Sequence, residues 1–163
     1  MAKTSSHDES DVRLIAKNRR ASFDYEIKER FEAGISLTGT EVRSLRDGGG
    51  SLAEAFVLIR KGQATLRGLH IKPYINGSYN NGDPDRSRVL LLHKKQIRYL
   101  DEQTAQKGMT IIPLRIYFKG SLVKAEIALA RGKKHWDKRQ SMAERDAKRE
   151  IERAIKDRRN LGY

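Results

Sequence analysis

Cysteine is absent from this chain of 163 residues. Its absence excludes disulfides, thiol chemistry and cysteine-based zinc sites. The four histidines, His7, His70, His93 and His135, are scattered and lack the spacing of metal ligands. We therefore expect no metal and no cofactor. Because no Ser or Cys nucleophile motif accompanies His70 or His135, we expect no catalytic residue and interpret both as surface or core side chains.

Long apolar segments are also missing. Hydrophobic residues make up 37% of the chain, and no run approaches the ~20 apolar residues that span a bilayer. The first eleven residues are polar and mixed in charge, without the apolar stretch of a secretory signal. We therefore expect a cytoplasmic protein that has no membrane partner.

Acidic residues are too few to balance the basic ones. The chain has 21 Asp and Glu against 34 Lys and Arg, which gives a formal net charge of +13 and a pI near 10.1. Such an excess makes a phosphate polymer the first partner to consider and a membrane surface the second. The length suits one domain with a real core plus an appendage.

Much of the basic excess lies in a C-terminal tail, residues 131–163, which has twelve Lys or Arg against six Asp or Glu. Ala143, Ala147, Ile151 and Ile155 recur at every fourth position, which predicts one apolar line along a helix. The line is thin, since alanines bury little surface, and a lone short helix is marginal in water. We expect a tail that is frayed when free and helical when bound to an anionic surface.

The only tryptophan, Trp136, lies between Lys134 and Lys138. An aromatic ring among cations can stack on an exposed base, which contributes about 1–3 kcal/mol per base. The alternative is a solvated charged helix that has no partner. The aromatic residue favours RNA.

The remaining chain divides at its N-terminus. Residues 1–16 are polar and low in aromatics, which predicts a mobile segment, and residues 17–130 carry the patterns of a folded domain. Apolar side chains at odd positions from Tyr25 to Leu37 predict one long strand. A bend is expected at Gly34, because a glycine inside a strand pattern usually marks a bulge or a corner.

Two short helices are predicted. Thr38 and Glu41 have the spacing of a capping box, and the helix they begin should end at the glycine run 48–50. That run lacks the Gly-Lys-Ser/Thr of a phosphate loop, so a helix stop is favoured over nucleotide binding. The second helix is predicted over 94–106, where Ile97 and Leu100 recur at helical spacing.

Two strand pairs are predicted from alternating residues on either side of glycine-containing turns: 55–60 with 64–70, and 109–118 with 122–130. Pro113 has no amide to donate, so its strand should lie at an edge or contain a bulge there. About five strands with short helices indicate a mainly β fold, a small antiparallel barrel followed by the basic tail.

Segment 73–87 is rich in Asn, Gly, Asp and Pro. This composition is typical of an exposed functional loop or of a disordered one, and the sequence leaves both open. Asp83 and Asp85 could bind magnesium, but acids in such a loop are more often turn residues.

Four stretches carry a resemblance to one known family: 32–45, 85–93, 108–118 and 132–139. Together they are similar to small protein B, the SsrA-binding proteins of bacteria, and the resemblance covers almost the whole chain. It implies an oligonucleotide-binding-type barrel with a C-terminal tail. It also implies a monomeric partner of transfer-messenger RNA, without enzyme activity, in the rescue of stalled 70S ribosomes by trans-translation.

The resemblance implies two sets of site residues. The contact to the tRNA-like domain of transfer-messenger RNA falls on Asn18, Arg20, Tyr25, Glu32, Leu91 and His93. The part of the tail that enters the vacant mRNA path, near the small-subunit rRNA of the decoding centre, falls on Gly132, Lys133, Lys134, Trp136, Asp137, Lys138, Arg139 and Ile155. His93 stands where some relatives carry asparagine, and Trp136 where relatives carry His or Tyr.

Glu32 is the unexpected member of the first set. A carboxylate that faces RNA is repelled by phosphate unless it accepts hydrogen bonds from a base or orients a neighbouring Lys or Arg. The alternative is an ordinary outward charge on an alternating strand.

Three functions remain open from the residues. The first is a non-enzymatic adaptor, with a barrel that binds a tRNA-like RNA and a tail that occupies the mRNA channel. The second is a metal-dependent nuclease that uses Asp83 and Asp85. The third is a generic RNA binder, which selectivity for one tRNA-like fold would distinguish from the first.

Overall fold

The computed structural model describes residues 12–106 and 108–160, and within them it contains nine strands and four α-helices. The strands are β1 (Val12–Lys17), β2 (Tyr25–Ile35), β3 (Gly50–Ser51), β4 (Phe56–Arg60), β5 (Gln63–Arg67), β6 (His70–Ile71), β7 (Arg88–Leu91), β8 (Met109–Lys119) and β9 (Leu122–Gly132). The helices are α1 (Ala21–Asp24), α2 (Gly39–Arg46), α3 (Lys94–Thr104) and α4 (His135–Asn160). Residues 1–11 of the predicted mobile segment and 161–163 of the tail lie outside the described residues.

Seven strands form one antiparallel sheet in the order β1-β8-β4-β5-β7-β2-β9, and β9 pairs again with β8. The pairings therefore run in a ring from β8 through β4, β5, β7, β2 and β9 back to β8, while β1 lies on β8 outside the ring. The mainly β antiparallel fold followed by a C-terminal helix is confirmed. The two remaining strands, β3 and β6, form a small separate pair.

The folded region begins earlier than the sequence predicted. Residues 12–16, assigned to a mobile N-terminus, form β1 together with Lys17 and pair with β8 from Val12 opposite Lys119 to Lys17 opposite Arg115. Ile15 packs against the core. The prediction failed here because the partner strand lies about a hundred residues away in sequence and the segment itself is weakly patterned.

Strand β2 is a single strand, as predicted, but it contains a bulge that the sequence did not reveal. Its register with β9 shifts between Ile27 and Glu29. The extra residue inverts the alternation, so Ile27 packs against a small cluster on the outer face while Phe31 packs against the main core. The irregularity thus lies before the expected bend at Gly34, where β2 pairs with both of its neighbours.

Two hydrophobic clusters hold the barrel together. The main core has its fully buried side chains on α2, α3 and most strands of the barrel, among them Leu45, Leu66, Leu90, Leu100, Ile111, Ile116, Ile127 and Leu129. The second cluster lies where α1 packs on the outer face of β8 and β9, and consists of Ala21, Ile112, Leu114, Ala128 and Ala130. This second cluster fixes α1 on the barrel.

The local signals read from the sequence are present. The backbone amide of Thr38 donates to Glu41 Oε1 at 3.0 Å, which completes the predicted capping box of α2. At the β4–β5 turn, Lys61 and Gly62 have φ of 50° and 70°, which matches a type I′ hairpin. The register of β8 shifts between Pro113 and Arg115, so the bulge at the proline is confirmed.

Helix α4 is 26 residues long, which corresponds to about 39 Å at 1.5 Å per residue. Every residue from 142 to 160 is exposed, including Ile151 and Ile155 of the predicted apolar line, which are 60% and 49% accessible. The tail is therefore helical but docks only at its first turns. The fraying of the tail in the free protein stays a prediction.

No helix of the described chain has the length and apolar character that crossing a membrane requires.

Candidate nucleic-acid interface

The six residues assigned to the tRNA-like domain lie at two ends of β2. Tyr25 begins the strand and pairs with Gly132, whereas Gly34, near its end, pairs with Leu91. At about 3.3 Å per residue the two ends are roughly 20–30 Å apart. We call Asn18, Arg20 and Tyr25 the α1 patch, and Glu32, Leu91 and His93 the β7 patch.

In the α1 patch, Asn18 and Arg20 have different roles. The amide of Asn18 donates to the Leu114 carbonyl oxygen at 2.8 Å, and its side-chain Nδ2 donates to the Pro113 carbonyl at 3.2 Å. Arg20 is 78% exposed and lies 3.6 Å from Asp24. Asn18 thus anchors the segment to β8, while Arg20 presents its guanidinium to solvent, where it can meet phosphate.

A cavity of about 1020 Å³ opens beside the α1 patch, between residues 14–25 and the segment 50–56. Lys17 and Arg19 add positive charge to its lining, Asp24 and Glu54 add negative charge, and Phe56, 41% exposed, adds an aromatic ring. Lys17 and Arg19 are close in sequence, whereas Phe56 joins them only because the fold brings the start of β4 to the same cavity.

A second basic feature, the groove between α1 and α4, was not predicted. Among the described residues, four arginines and a single acid, Asp146, line it around the apolar side chains of Phe23 and Met142. The arginines are Arg19, Arg20, Arg145 and Arg149. This excess of guanidinium groups is suited to a phosphate backbone, and it joins the α1 patch to the helix.

In the β7 patch, Glu32 is held by two partners on β8. The Tyr117 hydroxyl donates to Glu32 Oε2, and Lys119 Nζ lies 3.4 Å from Oε1. The Tyr117 hydrogen bond is the main reason that the pKa of Glu32 is lowered from its ordinary value, with Lys119 contributing. Burial and the hydrogen bond to Glu32 raise the pKa of Tyr117. Glu32 is thus ionised and oriented, and its carboxylate is paired before any RNA arrives.

Leu91 and His93 complete this patch. Leu91 is 61% exposed and packs over Gly34, where an added Cβ would lie 3.3 Å from the leucine Cβ. Because Gly34 is two residues from Glu32 on the same strand, the leucine and the carboxylate share the outer face. His93 is exposed directly before α3, and its backbone amide donates to Gln96 Oε1 at 3.3 Å. An apolar side chain beside a carboxylate and an imidazole suits an unstacked base.

A buried ionic network, which sequence reasoning missed, supports the segment that leads into β7. Arg88 is fully buried, and its guanidinium donates to Glu41 Oε2 at 2.6 Å and to the carbonyl oxygens of Pro84 (3.0 Å), Arg86 (2.9 Å) and Leu69. Burial opposes ionisation of Glu41, but hydrogen bonds from Arg86, the Thr38 amide and Arg88 keep its pKa below the ordinary value. The network ties segment 84–88 to the start of α2.

The two loop acids proposed as a magnesium site have other partners. Asp83 Oδ1 accepts a hydrogen bond from the Asp85 amide at 2.9 Å, and Asp85 Oδ1 lies 2.8 Å from His70 Nδ1. In the described part of the chain, no group of three or more His, Asp or Glu could hold a metal ion. The arrangement matches the turn interpretation of these acids.

The residues assigned to the tail lie in different environments. Gly132 ends β9 opposite Tyr25, and Lys134 and Arg139 are exposed. Lys133 and Lys138 instead contact α1. Asp137 is half-buried in the first turn of α4, whereas Ile155 is exposed near its far end. Trp136 lies in α4, but its side chain is outside the described residues.

The model of the SmpB protein family matches residues 15–157, which include both patches and nearly all of α4. The chain belongs to the SmpB family. An SsrA-binding protein of Bifidobacterium adolescentis is 54% identical over 149 residues, which are 91% of this chain and 94% of that protein. The SsrA-binding protein of Syntrophobacter fumaroxidans is 47% identical and covers 98% of this chain and 99% of its own length.

A solved structure of an SmpB chain also resembles this one. It is described as "tmRNA-SmpB: a journey to the center of the bacterial ribosome", and the similarity has a TM-score of 0.62 at 50% identity. It covers 73% of this chain and 84% of the solved one. The SmpB resemblance seen in the sequence is thus confirmed over both the barrel and the tail.

Proposed function

We propose that the protein is the RNA-binding adaptor of trans-translation, which binds the tRNA-like domain of transfer-messenger RNA and delivers it to stalled ribosomes. The observation that carries this proposal is the SmpB family match along residues 15–157. It is supported by relatives named SsrA-binding protein and by the solved tmRNA-SmpB structure of the bacterial ribosome.

The barrel supplies the contact to the tRNA-like domain. Arg20 of the α1 patch offers a guanidinium to phosphate, and Leu91 of the β7 patch offers an apolar surface to an unpaired base. Structured RNA is recognised in this way, through its backbone and its unstacked loop bases. Because the two patches are roughly 20–30 Å apart on β2, they fit two separate segments of one folded RNA better than a single strand.

Helix α4 supplies the contact to the ribosome. It extends about 39 Å, and its exposed surface carries cations along its length. Such a helix can lie in the mRNA path when the message is missing, with Lys134 and Arg139 near the decoding centre and Ile155 further along. The cytoplasmic location and the monomeric state expected from the sequence stay predictions.

The nuclease hypothesis has less support. Asp83 and Asp85 are hydrogen-bonded within a turn and to His70, and no group of three or more His, Asp or Glu in the described residues could hold a metal ion. Incubation of the protein with labelled RNA and magnesium tests it, and cleavage would favour that alternative.

Two measurements on the same variants test the adaptor proposal. Binding to the tRNA-like domain should weaken for Arg20→Gln and Leu91→Ser and should be retained by the double variant Lys134→Gln/Arg139→Gln. Peptide tagging on stalled ribosomes should be lost in that double variant. Arg60→Gln, an exposed cation at the end of β4, is the matched control and should change neither measurement.

Binding measured over a series of salt concentrations distinguishes selective RNA recognition from nonspecific electrostatic attraction to phosphate. Removal of one phosphate contact reduces the slope of log affinity against log salt by about 0.7–0.9, so Arg20→Gln should show that change and Leu91→Ser should not. If all variants bind a generic duplex and the tRNA-like domain alike, the protein is a general cationic binder and the adaptor proposal is wrong.

A further inference from the structure

The start of α4 is bound to α1 by the first of two lysines. Lys133 Nζ donates to the carbonyl oxygen of Ser22 and to Oγ of Ser141, both at 2.9 Å. Its backbone amide donates to the carbonyl oxygen of Asp24, also at 2.9 Å. One residue therefore links the end of β9, α1 and the second turn of α4.

The second lysine makes an independent contact with the same helix. Lys138 Nζ lies 3.4 Å from Asp24 Oδ1 and 5.9 Å from the centroid of the Phe23 ring. The two charged side chains are only 32% and 28% accessible, so salt screens their attraction less than that of a fully exposed pair.

Helix α1 is a firm support for these contacts. Ala21 is 3% exposed and packs in the second hydrophobic cluster, and the amide of Asn18 binds the Leu114 carbonyl just before the helix. The contacts of Lys133 and Lys138 therefore join α4 to the barrel itself and not to a loose segment.

Helix α4 thus contacts α1 at two points near its start, through Lys133 and Lys138. Over about 39 Å of helix, a tilt of about 15° at the start moves the far end by about 10 Å. Lys134 and Arg139, from the same stretch 132–139, are exposed. The four Lys and Arg residues of this stretch are thus of two kinds, two bound to α1 and two facing solvent.

We propose that Lys133 and Lys138 are positioning residues, which set the direction of α4 through the Ser22 carbonyl and the Asp24 carboxylate, and that they act on the ribosome only through that direction. This inference rests on the proposed function for its biological consequence. The exposed Lys134 and Arg139 remain the cations that reach RNA.

The first test measures the direction of α4 in the full-length free protein. Since the chain has no cysteine, Gln63→Cys on β5 and Arg153→Cys on α4 allow two spin labels to be attached without background. In the wild type these contacts should hold α4 in one direction and give a single narrow label distance, contrary to the fraying expected from the sequence. Lys133→Met, Lys138→Met and Asp24→Asn should each give a broad distribution. Lys134→Met removes the same charge from an exposed site and should keep the narrow distance.

The second test measures tagging on stalled ribosomes. Asp24→Asn removes no cation from the tail, yet tagging should fall by up to about 10²-fold, the loss that a misplacement of about 1 Å can cause in catalysis. Binding to the isolated tRNA-like domain should be unchanged in Lys138→Met, which leaves the Arg20–Asp24 pair intact. Lys138→Arg and the charge exchange Asp24→Lys/Lys138→Asp should restore both the narrow distance and tagging.

Two results would overturn the inference: a narrow distance with normal tagging in Asp24→Asn, or no recovery of either in the charge exchange. Lys138 would then act by contacting RNA directly. A wild-type protein that fails to support tagging would instead count against the proposed function, while the label distances would still decide whether the lysines orient α4.

Discussion

The hydroxyl of Tyr117 on β8 donates a hydrogen bond to the carboxylate of Glu32 on β2, across β9, which lies between them. Lys119 approaches the other oxygen of the same carboxylate. Glu32, the acid that was unexpected in an RNA-binding surface, is thus paired with the charge of Lys119 and held in place by the Tyr117 hydroxyl. Its second oxygen and the neighbouring lysine can face a ligand together.

Replacement of Tyr117 by Phe should raise the pKa of Glu32 toward its ordinary value, because the tyrosine hydrogen bond is the main cause that lowers it. The carboxyl carbon of Glu32, followed by NMR across a pH titration, measures the change. Tyr99→Phe is the matched control, since the Tyr99 hydroxyl donates to Glu29 on the same strand. An unchanged Glu32 titration in Tyr117→Phe would contradict the contact.

Glu41 and Arg88 should behave as a coupled buried pair. Glu41→Gln leaves the charge of Arg88 uncompensated, and such a loss typically costs about 3–5 kcal/mol of unfolding free energy. Urea unfolding of Glu41→Gln, Arg88→Met and the double variant measures the coupling, and the double variant should lose less than the sum of the two. Strict additivity would show that the two side chains do not interact.

The same pair predicts a dependence of stability on pH. The pKa of Glu41 is lower in the folded protein than the ordinary 4.5, so its ionised form stabilises the fold fully above that value. This stabilisation is lost as the pH falls through the folded pKa. The difference in unfolding free energy between wild type and Glu41→Gln should therefore be constant near neutral pH and shrink in acid. A difference that grows in acid would have the wrong sign.

Two glycines with similar backbone angles should respond differently to alanine. Gly68 and Gly62 have φ of 77° and 70°, so both substitutions carry the cost of a left-handed residue, about 1–2 kcal/mol. At Gly68 the added Cβ would also lie 2.2 Å from the Glu54 carbonyl oxygen, whereas at Gly62 no atom of the described residues lies within 4 Å. Thermal unfolding should show a larger loss for Gly68→Ala, and equal losses would contradict the close approach.

Predictions that depend on neighbouring residues succeeded. The capping box of Thr38 and Glu41 and the hairpin at Lys61 and Gly62 are set by interactions within a few residues, which the sequence displays directly. The bulge at Pro113 follows from the missing amide of that one residue. The helical period of α3 is likewise a local property.

Predictions that needed distant partners failed or were incomplete. β1 exists because β8 is available to pair with it, and the bulge at Lys28 moves Ile27 to a different face from Phe31. The strands whose pairing produces these outcomes lie about a hundred residues away along the chain. The separation of the candidate RNA contacts into two patches likewise depends on the pairings of β2 with β9 and β7.

By itself, the sequence determined the charge, the lack of thiol chemistry, the local turns and caps, and the motifs that place the chain in its family. Only the tertiary structure decided which charges are free to meet RNA. Arg88 is buried with Glu41, Glu32 is paired with Tyr117, and Lys138 is turned toward Asp24. The physical reason is that a charged side chain pairs with whichever group the fold brings within a few ångströms. Those groups come from distant parts of the chain.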